Sequence, residues 1–164
     1  MKTCVGVVSR PVTATKLWAI TATTEEVGAA ILDLSQWPTF TGWGPMPGIR
    51  EAEFLERAEA IVGTRIGVTN TDGSRHVETI TAWDLPRRIE LWLDGFPRPL
   101  SWLATHFVET WDFEPDGEAT WCVERRFEMR PRSWVTRPML VPIAWMMRKA
   151  VARHITQIGA TQVR

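Results

Sequence analysis

The feature that most constrains this fold is a long stretch of alternating apolar and polar residues, from residue 50 to residue 130, followed by one amphipathic segment. A two-residue period is typical of strands that bury one face. Turn signals such as Thr71-Asp72-Gly73 and Pro115-Asp116-Gly117 divide the stretch into six predicted strands. The predicted strands are residues 50–56, 64–70, 75–84, 88–94, 103–114 and 118–130. The apolar face of such a sheet must pack against another apolar element.

The N-terminal third predicts one more strand and two short helices. Residues 14–22 alternate like a strand, and Thr23 and Glu26 then have the spacing of a capping box, which starts a helix. Apolar residues recur at helical spacing from Val27 to Leu34. A second helical turn is predicted around Trp37.

The last predicted element is a long helix over residues 136–160, which carries an apolar stripe on one side. Its other side carries Arg148, Lys149 and Arg153, either as a solvated face or as a patch for lipid headgroups. We therefore predict an α+β helix-grip fold, in which a curved, seven-stranded antiparallel sheet surrounds the C-terminal helix and two short helices follow the first strand. Residues 1–164 are predicted to form a single domain, with residues 1–12 as a loose N-terminal segment.

Charge and hydropathy disfavour several classes of partner. Nineteen basic and nineteen acidic residues cancel, so no net field attracts nucleic acid or an anionic membrane. The longest apolar run, residues 138–147, is shorter than the roughly 20 residues of a membrane span. We expect no nucleic-acid binding, no stable membrane insertion and no exported leader at the N-terminus.

The sulfur and imidazole groups predict neither a metal nor a cofactor. Cys4 and Cys122 are too few for a disulfide framework or a metal knuckle, which favours a cytoplasmic protein. His76, His106 and His154 have no partner at ligand spacing. No nucleotide-binding glycine loop is present either.

Three short motifs resemble one protein superfamily. They are TEEVGAAILDLSQWP at residues 24–38, AWDLPRRI at residues 82–89 and FEPDGEAT at residues 113–120. They are similar to the first helix, a strand-proline-strand turn and the last hairpin of the START-like, or Bet v 1-like, superfamily, particularly its polyketide cyclase/dehydrase and lipid-transport branch. The resemblance spans residues 13–160 and implies a cavity between sheet and helix for apolar molecules. Glu118-Ala119 departs from the family pattern and leaves the register of that turn open.

The turn at Asp116-Gly117 decides which residues of the last two strands share a face. A two-residue turn pairs Glu109 with Glu124, and the family hairpin has the same register. We predict that this set faces the helix: Phe107, Glu109, Trp111, Phe113, Thr120, Cys122, Glu124 and Arg126. The alternative inner set contains Trp121, Val123 and Phe127.

Glu109, Glu124 and Arg126 are therefore the candidate catalytic residues. Two carboxylates close together in an apolar site cannot both ionise cheaply, so one retains a proton. Such a pair can serve as acid and base in an aldol cyclisation or a dehydration. The alternative is that the carboxylates face solvent or form a structural ion pair with Arg126. Whether the chain is an enzyme stays open.

The predicted function is the binding of an apolar small molecule, such as a lipid, a sterol or a polyketide-like compound, between sheet and helix. The predicted wall consists of Phe54, Ile66, Val68, Phe107, Trp111, Phe113, Cys122, Met139, Ile143, Met146 and Met147. One alternative is a fully packed helix without a cavity. Another is an interaction module or homodimer that uses outward Trp121, Val123 and Phe127.

Overall fold

The computed structural model describes residues 10–118 and 120–159, with side chains described through residue 156. The strands are β1 (Val12–Ile20), β2 (Ile49–Glu56), β3 (Arg65–Asn70), β4 (Arg75–Asp84), β5 (Arg88–Asp94), β6 (Ala104–Pro115) and β7 (Trp121–Pro131). The helices are α1 (Thr24–Leu32), a 3₁₀ helix (Leu34–Thr39), α2 (Leu100–Leu103) and α3 (Arg137–Gly159). Most of the predicted loose segment, residues 1–9, and the predicted end of the last helix at residue 160 lie outside the described residues.

The strands form one antiparallel sheet in the order β1-β7-β6-β5-β4-β3-β2. Long helix α3 packs against β1 and β7 and buries Leu140, Ala144 and Val151 on one face. An apolar stripe was predicted, but of its described members only Val151 is fully buried. Met139 at its start is 58% exposed, so the buried face of the first turns is centred one residue later, on Leu140 and Ala144. The helix-grip fold with two short helices after β1 is therefore confirmed. Helix α2, which precedes β6, has no counterpart in the sequence prediction.

Helix α1 begins at the predicted capping box and lies close to the sheet. The amide of Glu26 donates to Thr23 Oγ1 at 3.2 Å, and the amide of Thr23 donates to Glu26 Oε2 at 2.7 Å. Gly28 is buried where the helix meets the β4–β5 turn. A Cβ atom at this position would lie 2.9 Å from Trp83 Cζ2 and 3.0 Å from Leu85 Cδ1. Only glycine permits this approach without a shift of the helix or of Trp83.

The turn between β6 and β7 is longer than the predicted two residues. Pro115 pairs with Trp121, and the amide of Asp116 donates to the carbonyl of Thr120 at 2.8 Å. Glu109 therefore pairs with Phe127 instead of Glu124, which is a shift of three residues. Since side chains alternate between faces, an odd shift turns every residue of β7 to the opposite face. The predicted register was wrong, and so was the inner face predicted for β7.

The inner face of this hairpin joins β6 residues with the set of β7 that the prediction had placed outside. The shared face carries Phe107, Glu109, Trp111 and Phe113 from β6 with Val123, Arg125, Phe127 and Met129 from β7. Val123 is 0% exposed and Phe127 is 3% exposed. The outward apolar patch predicted for an interaction module, which needed both side chains at the surface, is therefore wrong.

Candidate functional site

A cavity of about 990 Å³ lies between the inner face of the sheet, α1 and α3. Its wall is mainly apolar, and side chains from the sheet and both helices contribute to it. The apolar wall includes Trp18, Val27, Ile31, Leu91, Leu93, Phe107, Trp111, Val123, Phe127, Ile143, Met146 and Met147. The helix therefore does not pack directly onto the whole sheet, and the space between them is of the size that small-molecule sites occupy.

The structure divides the predicted wall residues into two groups. Phe107, Trp111, Ile143, Met146 and Met147 line the cavity. The others lie elsewhere: Phe54, Ile66, Val68, Phe113, Cys122 and Met139. Their positions differ, since Ile66, Val68 and Phe113 are buried in the sheet face, whereas Met139 is 58% exposed on α3.

The three predicted catalytic residues are not brought together. Glu109 lies in the cavity wall, whereas Glu124 and Arg126 lie on the outer face of β7. There Arg126 Nε donates to Glu124 Oε1 at 3.0 Å. Cys122 shares that outer face. The assignment of Glu124 and Arg126 to the cavity is corrected by the three-residue shift, which exchanges them for Val123 and Arg125.

The polar centre of the cavity is an ion pair between Glu109 and Arg125. Arg125 Nε donates to Glu109 Oε1 at 2.6 Å, and Trp111 Nε1 donates to the same oxygen at 2.7 Å. Both bonds end on Oε1, so Glu109 Oε2 takes part in neither. The side chains of Arg125 and Glu109 are only 11% and 5% exposed. Charge-assisted bonds of this length are strong and fix the carboxylate in place.

Aromatic rings surround the guanidinium of Arg125. Its Cζ lies 4.6 Å from the ring centroid of Trp111, 5.1 Å from that of Phe127 and 5.8 Å from that of Phe40. The negative faces of aromatic rings attract a cation at these distances. The rings therefore compensate part of the hydration that Arg125 loses on burial.

Burial raises the pKa of the Glu109 carboxyl and outweighs the opposing effect of the Arg125 charge. The nearby charge of Glu78 acts in the same direction as burial, whereas the hydrogen bonds from Arg125 and Trp111 favour the ionised form. Glu109 is thus a carboxyl group that keeps its proton at a higher pH than an exposed glutamate. A group of this kind can give a proton to a bound molecule or take one from it.

A second polar group lies in the same wall and centres on Glu78 and His76. His76 Nε2 lies 3.1 Å from Glu78 Oε1, and their side chains are 11% and 8% exposed. Asn70 Nδ2 lies 3.5 Å from His76 Nδ1 and donates to Ser74 Oγ at 2.9 Å. The ring of Phe96 covers the imidazole, with centroids 5.7 Å apart. The cavity therefore has polar groups on both β4 and the last hairpin.

His154 on α3 adds a neutral imidazole to the wall. Its Nε2 lies 3.0 Å from Thr39 Oγ1, and its buried Nδ1 has no hydrogen-bond partner among the described residues. Burial and the charge of Arg125 lower the pKa of His154 to about 4. The imidazole is consequently uncharged at neutral pH, and it faces the cavity as a polar but neutral group.

Sequence reasoning missed Arg125, Glu78 and His154 as site residues. Arg125 lies between Val123 and Phe127 at a spacing of two, so its alternation with apolar neighbours was a usable signal once the correct face was known. Glu78 interrupts an inner-facing row in the same way, two residues before Ile80. His154 follows the apolar stripe of α3 at helical spacing, but it was considered as a metal ligand, for which it has no partner at ligand spacing.

The described part of the chain, residues 10–118 and 120–159, offers neither a metal site nor a membrane-spanning helix. No group of three or more His, Cys, Asp or Glu side chains there could hold a metal ion. Among the helices of that part, none is long and apolar enough to cross a membrane.

An antiparallel sheet that grips one long helix around an apolar cavity defines the helix-grip class of ligand-binding folds. Residues 11–161 match the protein family described as "Polyketide cyclase / dehydrase and lipid transport". The chain therefore belongs to this family, within the superfamily that its three motifs resemble. Comparison with curated protein sequences gives no match.

Solved structures of the same fold come from bacteria and plants. A START superfamily protein from Mycobacterium smegmatis has a TM-score of 0.64 and 14% identity, and the match covers 87% of this chain and 93% of that one. Ginseng major latex-like protein 151 from Panax ginseng has a TM-score of 0.67 and 14% identity, with 95% and 100% covered. Truncated norcoclaurine synthase from Thalictrum flavum has a TM-score of 0.63 and 12% identity, with 92% and 96% covered. At these identities the likeness establishes the fold.

Proposed function

We propose that the cavity binds a small molecule with a large apolar body and one oxygen-bearing polar group. The observation that carries this proposal is the buried pair of Glu109 and Arg125 in a mainly apolar wall. Small-molecule sites typically combine apolar walls with a few fixed polar groups that orient the ligand. Lipids, sterols and polyketide-like compounds share this composition.

Arg125 and Glu109 are suited to orient such a ligand. The bond from Arg125 to Glu109 uses Nε alone, whereas a guanidinium carries five N–H donors. The remaining donors can bind a carbonyl, hydroxyl or carboxylate oxygen. Glu109 Oε2 is the matching group for a hydroxyl of the ligand.

The direct test is native mass spectrometry of the purified protein, followed by titration with an 18-carbon fatty acid, its methyl ester, a sterol and an aromatic polyketide. Binding is read from tryptophan emission and from the melting temperature, because a ligand that binds only the folded state raises it. We expect at least one compound to bind at micromolar concentration. If no compound co-purifies and none of the four changes either signal, the proposed function is refuted.

A matched pair of substitutions tests where the ligand binds. Met147→Trp places a larger side chain in the cavity wall, whereas Met139→Trp places the same side chain on an exposed part of α3. We expect Met147→Trp to weaken binding at least tenfold and Met139→Trp to leave it unchanged, with the folded state of both checked by circular dichroism. If both variants bind the ligand with equal affinity, the ligand binds outside the cavity.

Acid–base chemistry is a second candidate function, and the raised pKa of Glu109 favours it. A protonated Glu109 would donate to a carbonyl oxygen of a bound poly-ketone during cyclisation or dehydration. Arg125 would stabilise the negative charge that develops on that oxygen. Glu109→Gln removes the transferable proton and keeps the shape of the side chain. We expect turnover of a poly-ketone to fall by about 10² to 10⁴. Unchanged turnover in this variant would leave ligand binding as the function.

A further inference from the structure

Several exposed apolar side chains lie on and around α2 and the first half of α3. We define the exposed apolar surface as Trp102, Trp134, Val135, Met139, Val141 and Trp145. Trp134 is 76% exposed, the highest value among the large hydrophobic residues described. Other exposed large hydrophobics, such as Leu17 and Leu55, lie singly on strands. A concentration of exposed aromatic and aliphatic groups marks an interaction site.

The segments that carry this surface contact one another. Arg132 Nε donates to the carbonyl of Ser101 at 2.5 Å, and the amide of Arg132 donates to the carbonyl of Leu103 at 2.9 Å. Trp134 lies in the segment that precedes α3, and Trp102 lies in α2. These bonds hold the two segments side by side. Helix α2 also packs against α3. On α3, Val141 and Trp145 lie four residues apart and point away from the buried face.

The charge of this region is strongly positive, although the whole chain is neutral. All nineteen acidic residues precede residue 129. The segment between residues 132 and 153 carries five exposed cations, which are Arg132, Arg137, Arg148, Lys149 and Arg153. None of them forms an ion pair within the described residues. A partner that supplies negative charge is therefore complementary to this surface.

Cations and aromatic rings are paired on this surface. The guanidinium of Arg98 lies 5.0 Å from the ring centroid of Trp102, and Lys149 Nζ lies 5.8 Å from that of Trp145. Tryptophan beside Arg or Lys is typical of side chains at the boundary between lipid headgroups and acyl chains. Arg98 and its neighbour Leu100 also line the cavity, so the surface adjoins the cavity wall.

We infer that the exposed apolar surface and its five cations dock on the surface of an anionic phospholipid bilayer. The apolar side chains enter the headgroup boundary, and the cations contact lipid phosphates without any helix crossing the membrane. A second copy of the chain fits less well, because a twofold dimer would place the same unpaired cations against each other. Docking in this orientation brings the cavity wall at Arg98 and Leu100 next to the membrane.

The test measures co-sedimentation of the full chain with vesicles of phosphatidylcholine alone and of phosphatidylcholine with phosphatidylglycerol in equal parts. We expect binding to the anionic vesicles, weaker binding to the neutral ones, and a loss of affinity as salt rises. Arg148→Gln combined with Lys149→Gln should weaken binding to anionic vesicles about 25-fold, since each cation near the surface contributes about fivefold. Trp134→Ser combined with Val135→Ser should weaken binding to both vesicle types by about tenfold.

Matched controls carry the same changes outside the surface. Arg50→Gln with Arg57→Gln removes two exposed cations, and Leu17→Ser with Leu55→Ser removes two exposed apolar side chains. Both controls should bind vesicles like the original chain, and melting temperatures confirm that all variants fold. Docking is refuted if the original chain does not bind anionic vesicles, or if the variants and controls behave alike. It is equally refuted if sedimentation velocity shows a dimer that Trp134→Ser with Val135→Ser dissociates, because the surface would then bind a second copy. Vesicle binding does not depend on a cavity ligand, so failure here leaves the titrations with soluble ligands unaffected.

Discussion

Two Glu–Arg pairs of the last hairpin have the same chemistry but lie on opposite faces of the sheet. Glu109 and Arg125 face the cavity, with side chains 5% and 11% exposed. Glu124 and Arg126 face outward, with side chains 29% and 34% exposed. Arg125 and Arg126 are adjacent in the chain, so the pleat of one strand separates a buried pair from a solvated one.

The difference shows that burial, and not the pairing itself, determines whether a Glu–Arg pair can exchange a proton or bind a ligand. Water screens the outer pair and replaces either partner at little cost. The inner pair has lost its water, so each charge depends on the other and on the rings around Arg125. In the inner pair, burial raises the pKa of the Glu109 carboxyl, and both side chains face a cavity in which a ligand can replace missing contacts.

Removal of the inner arginine should have the largest effect. Arg125→Met leaves Glu109 buried without its partner, and we expect the free energy of unfolding at pH 7 to fall by about 3 kcal/mol. Urea denaturation measures this loss. Because Glu109 can take up a proton, the loss should be smaller at pH 5. A loss below 1 kcal/mol at pH 7 would mean that the inner pair is as well hydrated as the outer one.

The inner histidine should make the fold sensitive to acid. His154 is neutral in the folded state, with a pKa of about 4, whereas the unfolded chain binds a proton near pH 6.5. Its contribution to stability is therefore complete above pH 6.5 and is lost as the pH falls towards 4, by about 2 kcal/mol at pH 5. Urea denaturation between pH 7 and pH 5 should show this loss in the original chain and a smaller one in His154→Gln.

His106 is the matched control for that experiment, because it lies on the outer face, stacked on Trp92. Burial and Arg130 lower its pKa as well, so its effect has the same sign. His106 is less buried than His154, and we expect His106→Gln to keep most of the pH dependence. If His106→Gln removes the dependence and His154→Gln keeps it, the assignment to the cavity histidine is wrong.

Removal of the outer arginine should have the smallest effect. Arg126→Met breaks a pair that water can replace, and we expect a change of less than about 1 kcal/mol in the free energy of unfolding. The same change should leave ligand affinity unaltered, whereas Arg125→Met should weaken the binding of a fatty acid more than that of its methyl ester. An equal effect of both substitutions on ligand affinity would contradict the assignment of the two faces.

The fold was predictable because its signals are periodic and repeated over many residues. Six strands with a period of two, a capping box and one long apolar stripe each agree with the same architecture. The register of the last hairpin was not predictable, because it depends on the length of one turn. Asp116-Gly117 is a good two-residue turn signal, yet the chain turns over five residues between Pro115 and Trp121.

That one turn accounts for the errors on β7. Glu109 was placed in the cavity because β6 is dominated by large apolar residues at every second position, whereas β7 has apolar residues on both faces. Arg125 was missed for the same reason. The sequence left Arg148, Lys149 and Arg153 open between a solvated face and a patch for lipid headgroups. The net charge of zero did not decide between them, because the sum conceals that every acidic residue precedes residue 129.

Gly28 has a consequence for how the cavity size can change. Val27, Ala30 and Ile31 of α1 line the cavity, whereas Gly28, on the same helix, rests on Trp83 and Leu85 outside it. A single methyl group at residue 28 would displace α1, Trp83 or Leu85, and a displacement of α1 would move these three wall residues at once. The capacity of the cavity is thus adjustable from a position that no ligand touches, and a library restricted to the wall residues would omit it.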